Sequence, residues 1–268
     1  MAEALLDRGR YGEWAVIAGG SDGTGACFAR EAAAAGINLV LVARRRGPLD
    51  ALATELRNAH AVQVRTLAFD LNEANAAERM AEATDGLEVG LYISNAGAES
   101  GGRAFLDTPL PTLLELIGRN VITLTAACHH FGQAMRARKR GGIVLMGSGA
   151  GLGGQPGVAA YAAAKAYVLT LAESLWAELR HDGVDVIGIA APIMETPSLR
   201  RTLGAMSIPG ILDPAEVVRT TLHRLPAGCS YVYAFNEPEA ESERQTQLRR
   251  QRVLEVEKIT MQLFHPAA

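Results

Sequence analysis

The sequence predicts a doubly wound α/β fold: a parallel sheet of about seven strands, covered by helices on both faces in three layers. Three observations carry this prediction. Short apolar runs alternate with helix-length segments along nearly the whole chain. These runs are continuously apolar, as strands buried on both faces are. The first run opens into a glycine-rich turn and then a helix, the local order that builds an anion-binding crevice at a strand's carboxyl end. A length of 268 residues suits one such unit better than two. Residues 1–268 are therefore expected to form a single domain, ending in a helical extension over about 237–264.

The first strand is read at Trp14 to Ile17. Ala18-Gly19-Gly20-Ser21-Asp22-Gly23-Thr24-Gly25 follows and leads into an Ala-rich helix from Thr24 to Ala35. Glycines let this backbone turn tightly and approach a ligand, while the free amides of the helix start attract an anion. The spacing is G-x-x-x-G-x-G, not the commoner G-x-G-x-x-G. A second strand, Ile37 to Val42, runs into Ala43-Arg44-Arg45-Arg46. A site that holds a free ribose 2′-hydroxyl usually has an acid at this strand end. Ala43 offers none, and Arg44 presents a planar fork suited to a phosphate. Next come a helix at Pro48 to His60, a strand at Val62 to Phe69, a helix at Asn75 to Ala83 and a strand at Val89 to Ile93. That strand ends at Ser94-Asn95-Ala96-Gly97. A long helix is expected from Leu113 to Arg138, and a buried strand at Ile143 to Met146.

The stretch that follows is the most informative in the chain. Ser148 stands at the carboxyl end of the Ile143–Met146 strand, in a glycine-rich segment from Gly147 to Gly157 that reads as an active-site loop. Tyr161 and Lys165 lie thirteen and seventeen residues further on, in an Ala- and Leu-rich segment without internal proline that reads as a helix to Leu179 or Arg180. Residues four apart share a helix face, so the Lys165 ammonium is expected beside the Tyr161 phenol. A phenol ionises near pH ~10, and an adjacent cation favours its phenolate. Tyr161 can then exchange a proton near neutral pH. The remaining strands are read at Val184 to Ala190 and Tyr231 to Phe235. The charged tail from Glu237 carries a thin apolar stripe (Leu248, Val253, Val256, Ile259, Leu263). It reads as a helix that packs on the domain, closes as a lid, or reaches a second subunit.

Composition removes several functional classes. Net charge is −3, so nothing marks a nucleic-acid surface. No apolar stretch approaches the ~18 residues of a membrane span, and Met1 to Tyr11 lacks an apolar signal core. Cys27, Cys128 and Cys229 are odd in number and scattered, which suits reduced thiols and a cytoplasmic location. His129 and His130 are neighbours in a helix, which point in different directions. No acid or cysteine cluster completes a ligand set with them, so no metal is expected.

Together the motifs resemble those of the short-chain dehydrogenase/reductase family in its single-domain form, from Gly12 to about Ala234. Ala18 to Gly25 stands for T-G-x-x-x-G-x-G, with Ala18 in place of the threonine. Ser94-Asn95-Ala96-Gly97 stands for N-N-A-G. Asn120, Ser148, Tyr161 and Lys165 match the catalytic tetrad. Pro192-Ile193-Met194-Glu195-Thr196 falls where P-G and a threonine are usual, with Ile193 replacing the glycine. The resemblance implies a Rossmann-fold dinucleotide-binding domain. It implies cofactor contacts from Gly19, Ser21, Asp22, Gly23, Thr24 and Gly25, and from Arg44 and Arg45 at an adenosine 2′-phosphate. Asp70 and Leu71 would meet the adenine, Asn95, Ala96 and Gly97 the adjacent ribose, and Pro192, Ile193 and Thr196 the nicotinamide. Tyr161 and Lys165 would also touch the cofactor. NADP(H) is favoured over NAD(H), although Asp22 stands where many NADP-preferring relatives carry a basic residue.

In this reading Tyr161 donates a proton to the developing alkoxide, Ser148 hydrogen-bonds the same oxygen, and Lys165 lowers the phenol pKa. Asn120 anchors a water linking Lys165 to solvent. Ser148, Tyr161, Leu152, Gln155, Met194 and Met206 are expected to contact the substrate, with the 199–211 segment forming a wall. Their apolar character favours a steroid-like or acyl-chain ketone over a sugar. Relatives pair the helices bearing Asn120 and Tyr161 into dimers and tetramers, so a homodimer or homotetramer is expected. A second reading stays open, a dinucleotide-binding sensor or scaffold without turnover. The intact tetrad speaks against it.

Overall fold

The computed structural model describes residues 5–97, 102–204, 209–234 and 237–264. Its seven strands are β1 (Trp14–Ala18), β2 (Asn38–Ala43), β3 (Val64–Ala68), β4 (Val89–Ser94), β5 (Gly141–Met146), β6 (Val184–Ala190) and β7 (Ser230–Val232). They form one parallel sheet in the order β3-β2-β1-β4-β5-β6-β7. The order reverses at β1, and the reversal opens a crevice at the carboxyl ends of β1 and β4, where open α/β sheets bind ligands.

Helices α1 (Arg8–Tyr11), α2 (Gly23–Ala34), α3 (Arg46–Ala59), α4 (Ala76–Ala83) and α5 (Leu110–Ile117) precede the middle of the sheet. They are followed by α6 (Thr123–Arg138), α7 (Ala159–Leu179), α8 (Pro197–Leu203), α9 (Pro214–Arg224) and α10 (Glu239–Phe264). Successive β-strand side chains face opposite sides, and β1 obeys this. Ala15 and Ile17 join the core beneath α2, α3 and α9, whereas Trp14 and Val16 join the core beneath α4, α6 and α7. All residues of β1, β4, β5 and β6 are buried, which explains their uninterrupted apolar runs.

The expected seven strands and the long helices around Asn120 and Tyr161 are present, with three differences. The helix expected to run unbroken from Leu113 to Arg138 starts at Leu110 and contains a π-helical turn, Gly118–Ile122. The 199–211 segment, expected as a wall of the substrate site, opens within an unforeseen helix, α8, and Met206 and Ile208 lie outside the described residues, as does Phe235 at the expected end of β7. Helix α9 was not anticipated, yet its signal is local. Asp213 caps it by accepting the Ala215 amide at 2.9 Å, Pro214 opens it, and Glu216 occupies its first turn.

Strand β7 is the outer edge of the sheet, and α10 closes it. The Tyr233 amide turns inward to Ala190 O at 3.2 Å. The amides of Val232 and Ala234 turn outward and donate to Thr246 Oγ1 and Ser242 Oγ, each at 3.0 Å. Both hydroxyl residues are buried. Ion pairs from Arg249 to Glu173 (2.5 Å) and from Arg180 to Glu257 (2.6 Å) fasten α10 to α7 and the turn after it. Each capped amide is worth about 1 kcal/mol or more, because a buried donor without a partner bears its full desolvation cost. Ser242→Ala combined with Thr246→Ala is expected to lower unfolding stability by about 2–4 kcal/mol, read by urea titration. A change below 0.5 kcal/mol would show that the edge does not depend on these hydroxyls.

Candidate active site

A cleft of about 470 Å³ lies over the carboxyl ends of the central strands. Its floor is the glycine turn between β1 and α2. Gly19 adopts φ +88°, and a Cβ there would lie 2.7 Å from the Ala96 amide nitrogen. A Cβ on Gly25 would collide with Gly19 O and approach Asn95 Nδ2 to 2.8 Å. Asn95 Nδ2 donates to Gly19 O at 3.0 Å, so the side chain after β4 fixes the shape of the turn. Asp22, the residue before α2, makes no capping bond, which leaves the first α2 amides facing the cleft. A backbone cradle that only glycine can form, set on uncapped helix amides, fits a dinucleotide's phosphates.

Of the residues expected at the cofactor, Gly19, Ser21, Asp22, Gly23, Thr24, Arg44 and Arg45 line this cleft. So do Asp70, Leu71, Asn95, Ala96, Gly97, Tyr161, Lys165 and Thr196. Gly25 is buried behind the turn, and Pro192 and Ile193 do not contribute to the lining. The Arg44 side chain is 72% exposed and lies 3.7 Å from Asp70. Arg45 pairs with Asp22 at 2.5 Å.

Lys165 sits one helical turn from Tyr161, with Nζ 5.7 Å from the centre of the phenol ring. Its ammonium is buried and donates to Met146 O at the end of β5, at 2.8 Å. Burial, and then repulsion from Arg119, push its pKa down to about 8. Asn120 lies on the π turn and is also buried. Its Nδ2 donates to Leu116 O at 2.9 Å, while Oδ1 has no hydrogen-bond partner among the described residues. A Cβ on Gly97 would strike that Oδ1 and lie 3.1 Å from Lys165 Nζ. The amide oxygen and the ammonium therefore converge on one point beside Gly97. A buried acceptor without a partner costs about 1–3 kcal/mol, and π turns cluster at functional sites.

Ser148 follows β5, where its Oγ accepts the Ala150 amide at 3.2 Å. It is half-buried but is not part of the cleft lining. Met194 lines the cleft, whereas Leu152 and Gln155 are exposed and line neither this cleft nor the cavity beside it. That neighbouring cavity, about 290 Å³, meets the cleft at Thr112, Leu116 and Tyr161. Phe105, Pro109, Leu113 and Val158 form much of its wall. Sequence reasoning missed this recess, because its residues come from the turn before α5, from α5 and from the start of α7, and share no motif. His129 packs beside Gln133 and His130 against the Phe131 ring, both exposed.

The family model described as short chain dehydrogenase matches residues 13–205. The 7beta-hydroxysteroid dehydrogenase of Collinsella aerofaciens is 33% identical over 223 residues, covering 81% of this chain and 84% of that protein. The very-long-chain 3-oxoacyl-CoA reductase of Podospora anserina is 36% identical over 225 residues, and the match spans 82% of this chain but only 65% of the relative. Among solved structures, a 7beta-hydroxysteroid dehydrogenase studied for its stereoselectivity superposes with TM-score 0.79 at 30% identity, covering 90% of this chain and 98% of that one. A short-chain dehydrogenase from Sphingobium yanoikuyae in complex with NADPH superposes with TM-score 0.80 at 27% identity, covering 90% and 95%.

The buried ammonium has a measurable thermodynamic consequence. In the unfolded chain Lys165 titrates near ~10.4, above its value of about 8 in the fold. Between these values the unfolded chain binds more protons, so stability rises with pH across that window. Lys165→Met removes the burial penalty of about 3 kcal/mol, less about 1 kcal/mol for the lost hydrogen bond to Met146. The cofactor-free variant is expected to be more stable than the parent at pH 7, with the gap narrowing toward pH 10. Denaturant titrations at both pH values read this, and a variant less stable at pH 7 would contradict it.

Proposed function

The chain belongs to the short-chain dehydrogenase/reductase family, and on that premise we propose that it is an NADP(H)-dependent oxidoreductase interconverting a ketone or aldehyde and an alcohol. The observation that carries this reading is the convergence of Tyr161, Lys165, Gly97 and the unpartnered Asn120 Oδ1 at one end of a glycine-floored cleft. A dinucleotide in that cleft supplies or accepts the hydride. Tyr161 gives its proton to the carbonyl oxygen as that oxygen becomes an alkoxide, and takes it back in the reverse direction. Ser148, at the carboxyl end of β5, donates a hydrogen bond to the same oxygen and fixes its orientation. The Lys165 cation stabilises the phenolate left behind. Asn120 Oδ1 and Lys165 hold a water between them through which the proton is replaced. A sensor without turnover has no need for a buried ammonium and an unpartnered amide oxygen aimed at one point.

Arg44 and Arg45 at the end of β2, with no acid at Ala43, support a 2′-phosphorylated cofactor, as does the similarity to a relative solved with NADPH. The recess joined to the cleft at Tyr161, where Phe105, Pro109, Leu113 and Val158 stand among the polar Arg103, Thr108 and Thr112, supports a substrate with an apolar body, steroid-like or an acyl chain, entering beside Phe105 and Leu113. Tyr161→Phe is expected to lower turnover of an apolar ketone panel about 10²–10⁴-fold while NADPH affinity stays within about threefold. Turnover within a few-fold of the parent would remove Tyr161 from the proton-donor role.

The whole chain is proposed to act as one domain, assembled as a homodimer or homotetramer through α5, α6 and α7. Leu114 and Ile122 on the Asn120 helix are more than half exposed, as an apolar interface awaiting a partner would be. This helical face is one of the exposed apolar surfaces among the described residues, another being Leu248, Val256 and Ile259 on α10. Light scattering at micromolar concentration should return a multiple of the 28.4 kDa chain mass, and a monomer mass would exclude the assembly.

A further inference from the structure

This inference rests on the NADP(H) reading above and concerns how the strap after β6 takes part in it. Asp22 stands in the glycine turn, where a free carboxylate would repel a phosphate. Its Oδ2 accepts Arg45 Nη2 at 2.5 Å and Arg201 Nη2 at 3.1 Å. Arg45 comes from the end of β2 and Arg201 from α8, so one carboxylate oxygen joins cations delivered by two separate elements. All three residues line the cleft.

The contact is more than an isolated surface pair. The strap leading into α8 rests on the same glycine turn. A Cβ on Gly23 would lie 3.1 Å from Thr196 Cγ2 and 3.8 Å from Pro197 Cδ. Thr24 Oγ1 lies 3.8 Å from Met194 Sδ. Thr196 also caps α8, accepting the Leu199 amide at 3.2 Å. Helix α8 is thus seated against the phosphate cradle, with Arg201 aimed at Asp22.

The charges at this end of the cleft do not cancel. Arg44, Arg45 and Arg201 face Asp22 and Asp70, three cations against two carboxylates. A phosphomonoester offers three acceptor oxygens to guanidinium forks, where the shared Asp22 oxygen offers one. We infer that Arg201 is a third ligand of the cofactor's 2′-phosphate, beside Arg44 and Arg45, and that Asp22 is the placeholder that aims Arg45 and Arg201 before the phosphate arrives. Because Met194 and Thr196 lie on the same strap and line the cleft, the phosphate also fixes the wall beside the reacting end. A dinucleotide without it leaves that wall held by Asp22 alone.

The test uses 2′,5′-ADP and 5′-AMP, which differ only by the 2′-phosphate, titrated calorimetrically into the full chain and into Arg201→Gln. The parent is expected to bind 2′,5′-ADP more tightly than 5′-AMP. Arg201→Gln should weaken 2′,5′-ADP about tenfold or more, as loss of a charge-assisted hydrogen bond does, and leave 5′-AMP unchanged. Hydrogen exchange at 197–204 should slow with 2′,5′-ADP in the parent and not in the variant. If the parent shows no preference for 2′,5′-ADP, the NADP(H) reading fails and the inference goes with it. If the parent has the preference and Arg201→Gln keeps it, or weakens both ligands equally, the inference alone is overturned.

Discussion

A protonated amine held almost out of water organises the centre of this protein. Burial lowers the Lys165 pKa to about 8, and Met146 O accepts a hydrogen bond from its ammonium at 2.8 Å beside the open cleft. Each neighbouring feature answers that buried charge. Helix α7 must enter at the carboxyl end of β5 to bring the ammonium to a free strand carbonyl. Gly97 must lack a side chain, since a Cβ would occupy the space between Lys165 and Asn120. The helix carrying Asn120 must widen by one residue per turn at Gly118–Ile122 to turn the amide inward. A neutral residue at position 165 would make all three arrangements pointless. The surrounding sheet supplies the stability that tolerates a buried charge beside an unpartnered acceptor.

Much of this was legible before any coordinates. The seven runs map onto the seven strands. Those of β1, β4, β5 and β6 are uninterrupted because strands buried on both faces admit no polar alternation, whereas β3, at the sheet edge, carries Arg65 and Thr66. Tyr161 and Lys165 were placed on one face by spacing alone. Asn95, Ala96 and Gly97 came from the family resemblance of the segment after β4. What could not be read is what depends on distant partners or on a departure from regular geometry. The π turn has no composition of its own. Asp22 was read only as standing where many NADP-preferring relatives carry a basic residue, and its partner Arg201 lies 179 residues away. The expected wall residues Leu152 and Gln155 turned out to be exposed, while the recess beside Tyr161 draws on segments with no motif. Helix α9 was within reach, since Asp213, Pro214 and Glu216 spell a helix start.

The Rossmann scaffold separates two kinds of task. Residues at the β1 and β4 ends act through backbone shape, where glycines allow close approach. Residues at the β2 end and on α8 bring charge to the cleft from exposed positions outside the core.

The closure of β7 bears on how the chain reaches this state. An open strand edge is a template for other chains, most dangerous while a protein is still incomplete. Here the hydroxyl that covers the Val232 amide lies only fourteen residues away in sequence, and the one that covers Ala234 only eight. Short separations close quickly and at small entropic cost. The last strand of a slow, long-range parallel sheet thus carries its own shield, which forms with the strand and does not wait for the far side of the sheet.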